Sequence, residues 1–151
     1  MADKIAANGH IQVLTLYLDN QKFGVPILTI QDILQTHALT SVPLSEPYIE
    51  GVMNLRGRIV TAINLRKRIR NGQSATENQE SMNIVIESDH ELYSIMVDQV
   101  GEVVTLNTNK IEDPPLTLDA SWRSVINGVY QEEKEIILML DTDKIIHTDH
   151  V

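Results

Sequence analysis

The residue types best suited to catalysis or metal binding are few and scattered in this sequence. Of the five histidines, only two lie close together, in the segment His147-Thr148-Asp149-His150 at the C-terminal end. A spacing of three residues could bring both imidazoles together on a helix, but no third ligand is evident elsewhere in the sequence. We therefore expect ordinary surface histidines and predict no metal site.

Signatures of enzymes are also missing. The sequence contains none of the motifs G-x-G-x-x-G, G-x-x-x-x-G-K and G-x-S-x-G, which mark nucleotide and hydrolase sites. It has no cysteine, which excludes disulfides, thiolate metal sites and cysteine nucleophiles. The carboxylates fall mostly in predicted turns, and nothing specific supports an acid–base pair or a small hydrolase. We expect no enzymatic activity and no cofactor.

Charge is distributed unevenly along the chain, which carries a net charge of −9. Residues 51–76 contain no acid and hold half of the basic residues, and we call them the basic stretch. The stretch is either a solvated surface beside acidic neighbours or a patch that faces a partner. An acidic protein in which aromatic residues make up only 4% is a poor general nucleic-acid binder.

The elements that must position any site are mostly strands. Alternating apolar residues on either side of polar turns predict four hairpins. They pair His10–Leu18 with Phe23–Ile27, Gly51–Leu55 with Ile59–Leu65, Met82–Glu87 with Leu92–Val97, and Asn127–Gln131 with Ile136–Leu140. Short helical turns are expected near 27–31, 47–50, 65–70 and 141–146, and the polar residues 71–80 read as a linker or long loop.

The hairpins repeat along the chain. A shift of 70 residues superposes the first hairpin on the third, and a shift of 77 superposes the second on the fourth. The matched pairs include Asp19 with Asp89, Ile30 with Val100, Asp32 with Glu102, and Gly51 with Gly128. We predict a duplicated β unit, with copies near residues 10–70 and 82–147.

A small unit of about five strands closes best as a barrel, because closure removes its exposed edges. Two such barrels in one chain would share an apolar seam, with a groove between them that suits segments of other proteins. We therefore predict a mainly β fold of two pseudo-repeated five-stranded barrels that share a hydrophobic core, with short helices.

The most informative segment covers residues 48–68. It reads as a hairpin whose turn, at 54–57, has the sequence Asn-Leu-Arg-Gly. Asn54 and Gly57 belong to the residue types that accept unusual backbone angles, and Gly51 would permit the close approach of another chain. Arg56 projects a rigid five-donor fork suited to a carboxylate. These features alone predict a β protein with an arginine-bearing turn.

This segment resembles the CheW family, the adaptor proteins of bacterial chemotaxis arrays. The pattern G-V-x-N-L-R-G-x-I-V, followed by N/D-L-R-K-R, is the family's best-known stretch and stands here at 51–68. A second family pattern, V-D-x-V-x-E-V, occupies 97–103, and a third, ending in F-G-V, occupies 23–25. Order and spacing fit from about His10 to Ile146.

The resemblance implies a fold and a role. The family fold is two five-stranded barrels around a shared core, here a single domain over 10–147 in which strands can exchange between barrels. Members bridge the histidine kinase CheA, through its regulatory domain, to the cytoplasmic tips of chemoreceptors, and they have no catalytic activity. The resemblance thus implies a cytoplasmic scaffold recruited to membrane-associated receptor arrays, without membrane insertion and without nucleic acid.

The resemblance also implies partner-binding residues. They are Ile30, Asp32, Gly51, Asn54, Arg56 and Gly57. Arg56 matches the family's arginine linked to receptor coupling, and Gly51 matches the glycine ahead of it. Ile30 and Asp32 match an apolar-x-acid pattern that also affects coupling, with Asp32 one methylene shorter than the usual glutamate. On pattern alone, Ile30 and its counterpart Val100 are more typical of buried residues.

The two copies differ in charge at matched positions. Asp32 falls on Glu102, and Arg56 falls on Glu133, so only the first copy offers an acid together with an arginine. Either the copies have divided their work, one facing receptor and the other docking the kinase, or their surfaces have simply drifted. A further reading from another class is an oligonucleotide-binding β-barrel that uses the basic stretch, which predicts salt-sensitive binding to single strands.

Overall fold

The computed structural model describes residues 9–35, 39–43, 45–69 and 82–147. Within these ranges the chain forms strands joined by short helices and turns. The strands are β1 His10–Leu18, β2 Gln21–Pro26, β3 Ile30–Gln35, β4 Ile49–Leu55, β5 Arg58–Asn64, β6 Met82–Ser88, β7 Glu91–Val97, β8 Gln99–Asn107, β9 Ile111–Glu112, β10 Ile126–Gln131 and β11 Ile136–Leu140. The helices are α1 Leu65–Ile69, α2 Ala120–Arg123 and α3 Thr142–Ile146, and two 3-10 turns cover Ile27–Thr29 and Thr108–Lys110.

The strands form two sheets. One has six strands in the order β8-β1-β2-β11-β10-β9, and the other has five in the order β3-β6-β7-β5-β4. All four predicted hairpins are confirmed as antiparallel pairs. Two of them turn on two residues with positive φ, Asp19-Asn20 and Asp89-His90, the geometry that matches the twist of the flanking strands.

Each sheet mixes strands from both predicted copies. The hairpin β1–β2 lies among β8, β10 and β11, whereas β6–β7 lies among β3, β4 and β5. The strand registers of the two copies agree. The shift of 70 residues relates Leu16 to Ile86 and Ile30 to Val100, and Leu16 pairs with Val100 just as Ile86 pairs with Ile30. The parallel pairs β2–β11 and β5–β7 are related in the same way. The first hairpin of each copy therefore completes the sheet of the other.

Each sheet forms one barrel unit, and we call the two units the five-stranded and six-stranded barrels. A single stretch of chain supplies β8 and β9, the two outermost strands of the larger sheet, through the turn at Thr108–Lys110. In the smaller sheet, Thr40 follows β3 and forms an antiparallel bridge to Val52 on β4. The predicted mainly β class with two barrel units and short helices is confirmed, and β9 adds a sixth strand to one unit.

Two glycines allow neighbouring segments to pack closely against their strands. A Cβ on Gly51 would lie 2.5 Å from the carbonyl oxygen of Thr40, and one on Gly128 would lie 2.7 Å from Cγ2 of Ile111. The φ of Gly51 is 151°, which also favours glycine. The close approach predicted at Gly51 is thus made by Thr40 of the same chain and not by another chain, because the turn back to β4 brings Thr40 onto this strand.

One apolar core joins the barrels. It contains fully buried residues from both sheets, including Leu16, Phe23, Ile63, Ile86 and Ile95. Each barrel adds a smaller cluster of its own, built around Val13 and Ile137 in the six-stranded barrel and around Val60 and Val85 in the five-stranded one. A shared core of this kind holds the two barrels as one unit.

Several local predictions differ from the structure. Pro47 and Tyr48 form a turn that leads into β4 instead of a helix, since Ile49 pairs with Ile63 on β5 and the Tyr48 carbonyl accepts the amide of Asn64. The helix α2 was not predicted; Asp119 caps it, and Trp122 stacks on Phe23 with ring centroids 5.4 Å apart. The predicted linker at 71–80 lies outside the described residues.

Candidate functional site

The turn between β4 and β5 carries the arginine singled out from the sequence. Arg56 and Gly57 have φ values of 52° and 86°, so the backbone at the tip is left-handed. The side chain of Asn54 accepts a hydrogen bond from the Gly57 amide at 2.9 Å, which fixes this turn. The Arg56 side chain is 77% exposed and projects from the barrel.

Asp32, on β3, forms an ion pair with this arginine. Its Oδ2 lies 3.0 Å from Nη2 of Arg56, and its Oδ1 accepts the amide of Ile33 at 2.8 Å. The Asp32 side chain is 27% exposed, so a partner can reach both groups. The guanidinium is therefore oriented by a carboxylate while most of its surface stays open to solvent.

The other proposed partner-binding residues take different positions. Asn54 and Gly57 are exposed at the tip, close in sequence to Arg56. Ile30 is half-buried and packs against the shared core, as does its counterpart Val100. Gly51 is buried beneath Thr40, and its lack of a side chain lets Thr40 pack closely against β4. The structure thus brings Asp32, Asn54, Arg56 and Gly57 together and leaves Gly51 beneath the surface.

Exposed apolar residues that were not predicted from the sequence adjoin this turn. Ile33 follows Asp32 on β3, and Ile59, which pairs with Asn54, is 61% exposed. The same positions in the six-stranded barrel hold Val103 and Ile136, which are also exposed. The repeat could have identified them, because shifts of 70 and 77 residues connect the two pairs.

The matching surface of the six-stranded barrel is acidic. Glu102 and Glu133, the counterparts of Asp32 and Arg56, are both exposed. Nearby, Lys22 lies 2.8 Å from Glu135 and 3.5 Å from Glu132. The hydrogen bond to Glu135 raises the pKa of Lys22 in spite of its burial. Equivalent hairpin tips therefore present a basic surface on one barrel and an acidic surface on the other.

Several basic residues of the basic stretch form contacts with other parts of the protein. The Arg66 side chain is only 7% exposed; its Nη2 donates to both oxygens of Asp98, at 2.6 and 2.7 Å, and its Nε to Asp19 at 3.1 Å. Burial alone would lower the pKa of Arg66, but the hydrogen bonds to Asp19 and Asp98 raise it. Asp19 and Asp98 come from the β1–β2 turn and the β7–β8 junction, so Arg66 on α1 ties three segments together.

The neighbouring basic residues are also engaged. Lys67 lies 3.0 Å from Glu50, and Arg58 donates to the carbonyl of His90 at 3.2 Å. Arg68 donates to the carbonyls of Lys144 and Ile145 and lies over the Tyr48 ring. Burial lowers the pKa of Arg68. The basic stretch is therefore neither a continuous partner-facing patch nor a simple solvated surface, since Arg66 is buried; Arg70 lies outside the described residues.

Among the residues that the structure describes, no three histidine or acidic side chains are arranged so that they could hold a metal ion together. His147 lies 3.2 Å from the Ser88 hydroxyl and 3.7 Å from Asp89, while His150 is outside the described ranges. Within those same ranges, no helix has the length and apolar character needed to cross a membrane.

Comparison with known proteins gives a consistent result. The family model of the CheW-like domain matches residues 12–150. The chain is 30% identical over 135 residues to the chemotaxis protein CheW of Thermotoga maritima, covering 89% of this chain and 87% of that protein. It is 23% identical over 137 residues to the chemotaxis protein CheW of Treponema pallidum, covering 89% and 81%.

A solved structure agrees with the sequence relatives. The scaffolding protein TtCheW from Thermoanaerobacter tengcongensis superposes with a TM-score of 0.75 at 26% identity, covering 87% of this chain and 88% of that one. The fold, the arginine turn and the extent of the family match lead to the same conclusion: this chain belongs to the CheW-like family.

Proposed function

We propose that this protein is a non-enzymatic scaffold that couples chemoreceptors to the histidine kinase CheA in bacterial chemotaxis. The observation that carries the proposal is the family match over residues 12–150, which includes the turn where Asp32 orients the exposed Arg56. The relatives named above are chemotaxis and scaffolding proteins. A scaffold needs accessible recognition surfaces and no reactive centre, and the arginine turn is such a surface.

For the receptor-facing surface we propose the tip of the five-stranded barrel. Asn54, Arg56 and Gly57 are exposed there, Asp32 orients the guanidinium, and Ile59 adds apolar area. Ile30 supports β3 from the core side, and Gly51 keeps β4 in place beneath Thr40. An exposed apolar group beside an oriented arginine is a combination common at protein interfaces.

For the kinase-facing surface we propose the matching tip of the six-stranded barrel. Val103 and Ile136 are exposed there, and Glu102 and Glu133 give the surface its negative charge. Opposite charges at equivalent tips would let the regulatory domain of CheA and the receptor tip bind different ends of one molecule. This division makes the protein a bridge, working in the cytoplasm at receptor arrays.

The oligonucleotide-binding alternative is not favoured. It requires a basic surface free to follow a phosphate backbone. Arg66 is buried in a carboxylate network, and Lys67, Arg68 and the exposed Arg58 have partners within the protein. The net charge of −9 adds to the cost of approaching a polyanion.

A reconstituted mixture of receptor fragment, CheA and this protein tests the proposal. The wild-type protein should raise receptor-dependent kinase activity and should bind the CheA regulatory domain alone. Arg56→Glu should weaken receptor capture more than kinase capture, and Glu133→Arg should do the reverse. If the wild-type protein binds neither partner at high micromolar concentration, the proposed function is wrong; if both variants lose the same partner, only the division of surfaces is wrong.

A further inference from the structure

The two predicted repeats depend on each other for their sheets. The hairpin β6–β7 of the second repeat lies between β3 and β5 of the first. The hairpin β1–β2 of the first repeat lies between β8 and β11 of the second. Each barrel is therefore completed by strands that belong, along the chain, to the other repeat.

Taken alone, a repeat keeps little of this hydrogen bonding. The first repeat retains the β1–β2 and β4–β5 pairs, which lie in different sheets. Its strand β3 loses its pairing, because among the described strands β3 pairs with β6 of the second repeat. Isolated two-stranded hairpins are marginally stable in water. Neither repeat has the means to form its barrel without strands from the other.

The contact between the repeats has the character of a strong binding interface. Leu16 and Ile86 are buried at its centre, paired with Val100 and Ile30 respectively. Polar contacts also cross it: Arg66 of the first repeat bonds Asp98 of the second at 2.6 Å. Thr15 donates to the Glu102 carbonyl at 2.6 Å, and Arg68 donates to the carbonyls of Lys144 and Ile145. Apolar burial, strand register and polar contacts are thus matched across the boundary.

The covalent connection between the repeats is a short segment of the chain. Ile69 ends α1, Met82 begins β6, and twelve residues of sequence separate them. Every contact described above would be the same if the two repeats came from different molecules. Exchange of identical elements between copies costs little, because the exchanged state keeps the native contacts.

We propose that the two repeats bind each other without needing the covalent connection between them, and that a second copy of this chain can supply either repeat to form a strand-exchanged dimer. Each barrel pair in such a dimer contains residues 10–69 of one chain and residues 82–147 of the other. The occupant of the interface is thus a complementary repeat, recognised by the same registers that join β1 to β8 and β3 to β6.

Cleavage of the full-length protein gives the first test. A protease site replaces residues 73–78, outside the described elements, and the folded protein is cut there. Light scattering should show one particle with the mass of the intact chain, which resolves into two fragments only in denaturant. The uncut variant is the matched control. Separation of the fragments in native buffer at tens of micromolar overturns the proposal.

Isotope labelling tests exchange between copies. Full-length chains that carry the protease site, half of them 15N-labelled, are unfolded together and refolded at millimolar concentration. The dimer is then isolated and cut. Native mass spectrometry should find particles that combine a heavy fragment with a light one, in about half of the total for random mixing. Heavy and light monomers that are refolded separately, mixed and cut should give none. Absence of a dimer, or a dimer whose cut particles carry a single label, contradicts the strand-exchanged state.

Discussion

Asp32 and Arg56 belong to opposite edges of the five-stranded sheet, yet their side chains meet at 3.0 Å. Asp32 lies on β3, and Arg56 lies in the turn that follows β4. The contact is possible because the sheet curls until Thr40, just beyond β3, bridges to Val52. Closure of the barrel thus assembles a pair of charged groups that lie 24 residues apart in the sequence and places them at the surface.

Because this pair is exposed, it should matter more for coupling than for folding. An exposed ion pair contributes only ~0–1 kcal/mol, so Arg56→Glu should unfold near the wild type. The same change removes the oriented guanidinium and should abolish receptor-dependent kinase activation. Urea unfolding followed by Trp122 fluorescence measures stability, and kinase activity in the reconstituted mixture measures coupling. Arg58→Glu, with the same charge change at the base of the turn, is the control and should keep most of the activation.

The four hairpins could be predicted because their signals are local. Apolar alternation and polar turns lie within each hairpin, and the repeat shifts gave the equivalence of Ile30 with Val100 that the registers later matched. The strands β3 and β8 were not identified, since each follows a hairpin without a turn signal of its own and pairs with a strand that is distant in the sequence.

Non-local contacts also explain what was missed in the site. The repeat and the family resemblance singled out Asp32 and Arg56, but their 3.0 Å contact could not be derived from the sequence, because it depends on closure of the barrel. The basic stretch looked like a surface feature, yet Arg66 is buried by Asp19 and Asp98, which lie 47 and 32 residues away. Charge counts along a chain do not reveal such partners.

Gly51 and Gly57 should respond differently to alanine. Both have positive φ, a backbone strain that costs a residue with a Cβ on the order of 1–3 kcal/mol. At Gly51 the new Cβ would also meet the Thr40 carbonyl oxygen at 2.5 Å, which adds roughly 1–3 kcal/mol of overpacking. At Gly57 nothing lies within 4 Å. Gly51→Ala should therefore lower the free energy of unfolding clearly more than Gly57→Ala in urea titrations; equal losses would show that Thr40 yields without cost.

Arg66 should be the most sensitive member of the basic stretch. Arg66→Gln would leave Asp98 and Asp19 without their cation in a partly buried position, a change that costs roughly 3–5 kcal/mol. Arg58→Gln, which loses a 3.9 Å contact with Glu87 at the surface, should cost less than about 1 kcal/mol. Both values come from urea unfolding at neutral pH. A loss at Arg66 as small as that at Arg58 would mean that solvent replaces the guanidinium.

Lys22 should contribute to stability below pH 10 and lose that contribution in alkali. Its pKa is raised in the folded protein, chiefly by the hydrogen bond to Glu135, so the charged form is favoured by folding. The contribution is complete below the unfolded pKa of about 10.4 and disappears as pH rises through the higher folded value. The difference in unfolding free energy between wild type and Lys22→Met, up to ~1 kcal/mol at pH 8, should shrink by pH 12. Lys134→Met, at an exposed lysine of the same acidic turn, should show a smaller difference throughout.

Reversing both charges separates the ion pair from its recognition. Arg56→Glu alone places two acids within reach of each other, since Asp32 remains 3.0 Å from the original guanidinium position. Adding Asp32→Arg restores opposite charges and should recover the small stability lost, because attraction between exposed charges does not depend on which edge carries the cation. Kinase activation should not return, because a partner that binds the guanidinium at the turn would find a carboxylate there. A double-mutant cycle that combines urea unfolding with the kinase assay measures both effects. Recovery of activation along with stability would show that the partner needs only the closed barrel edge, and the recognition role of Arg56 would then be wrong.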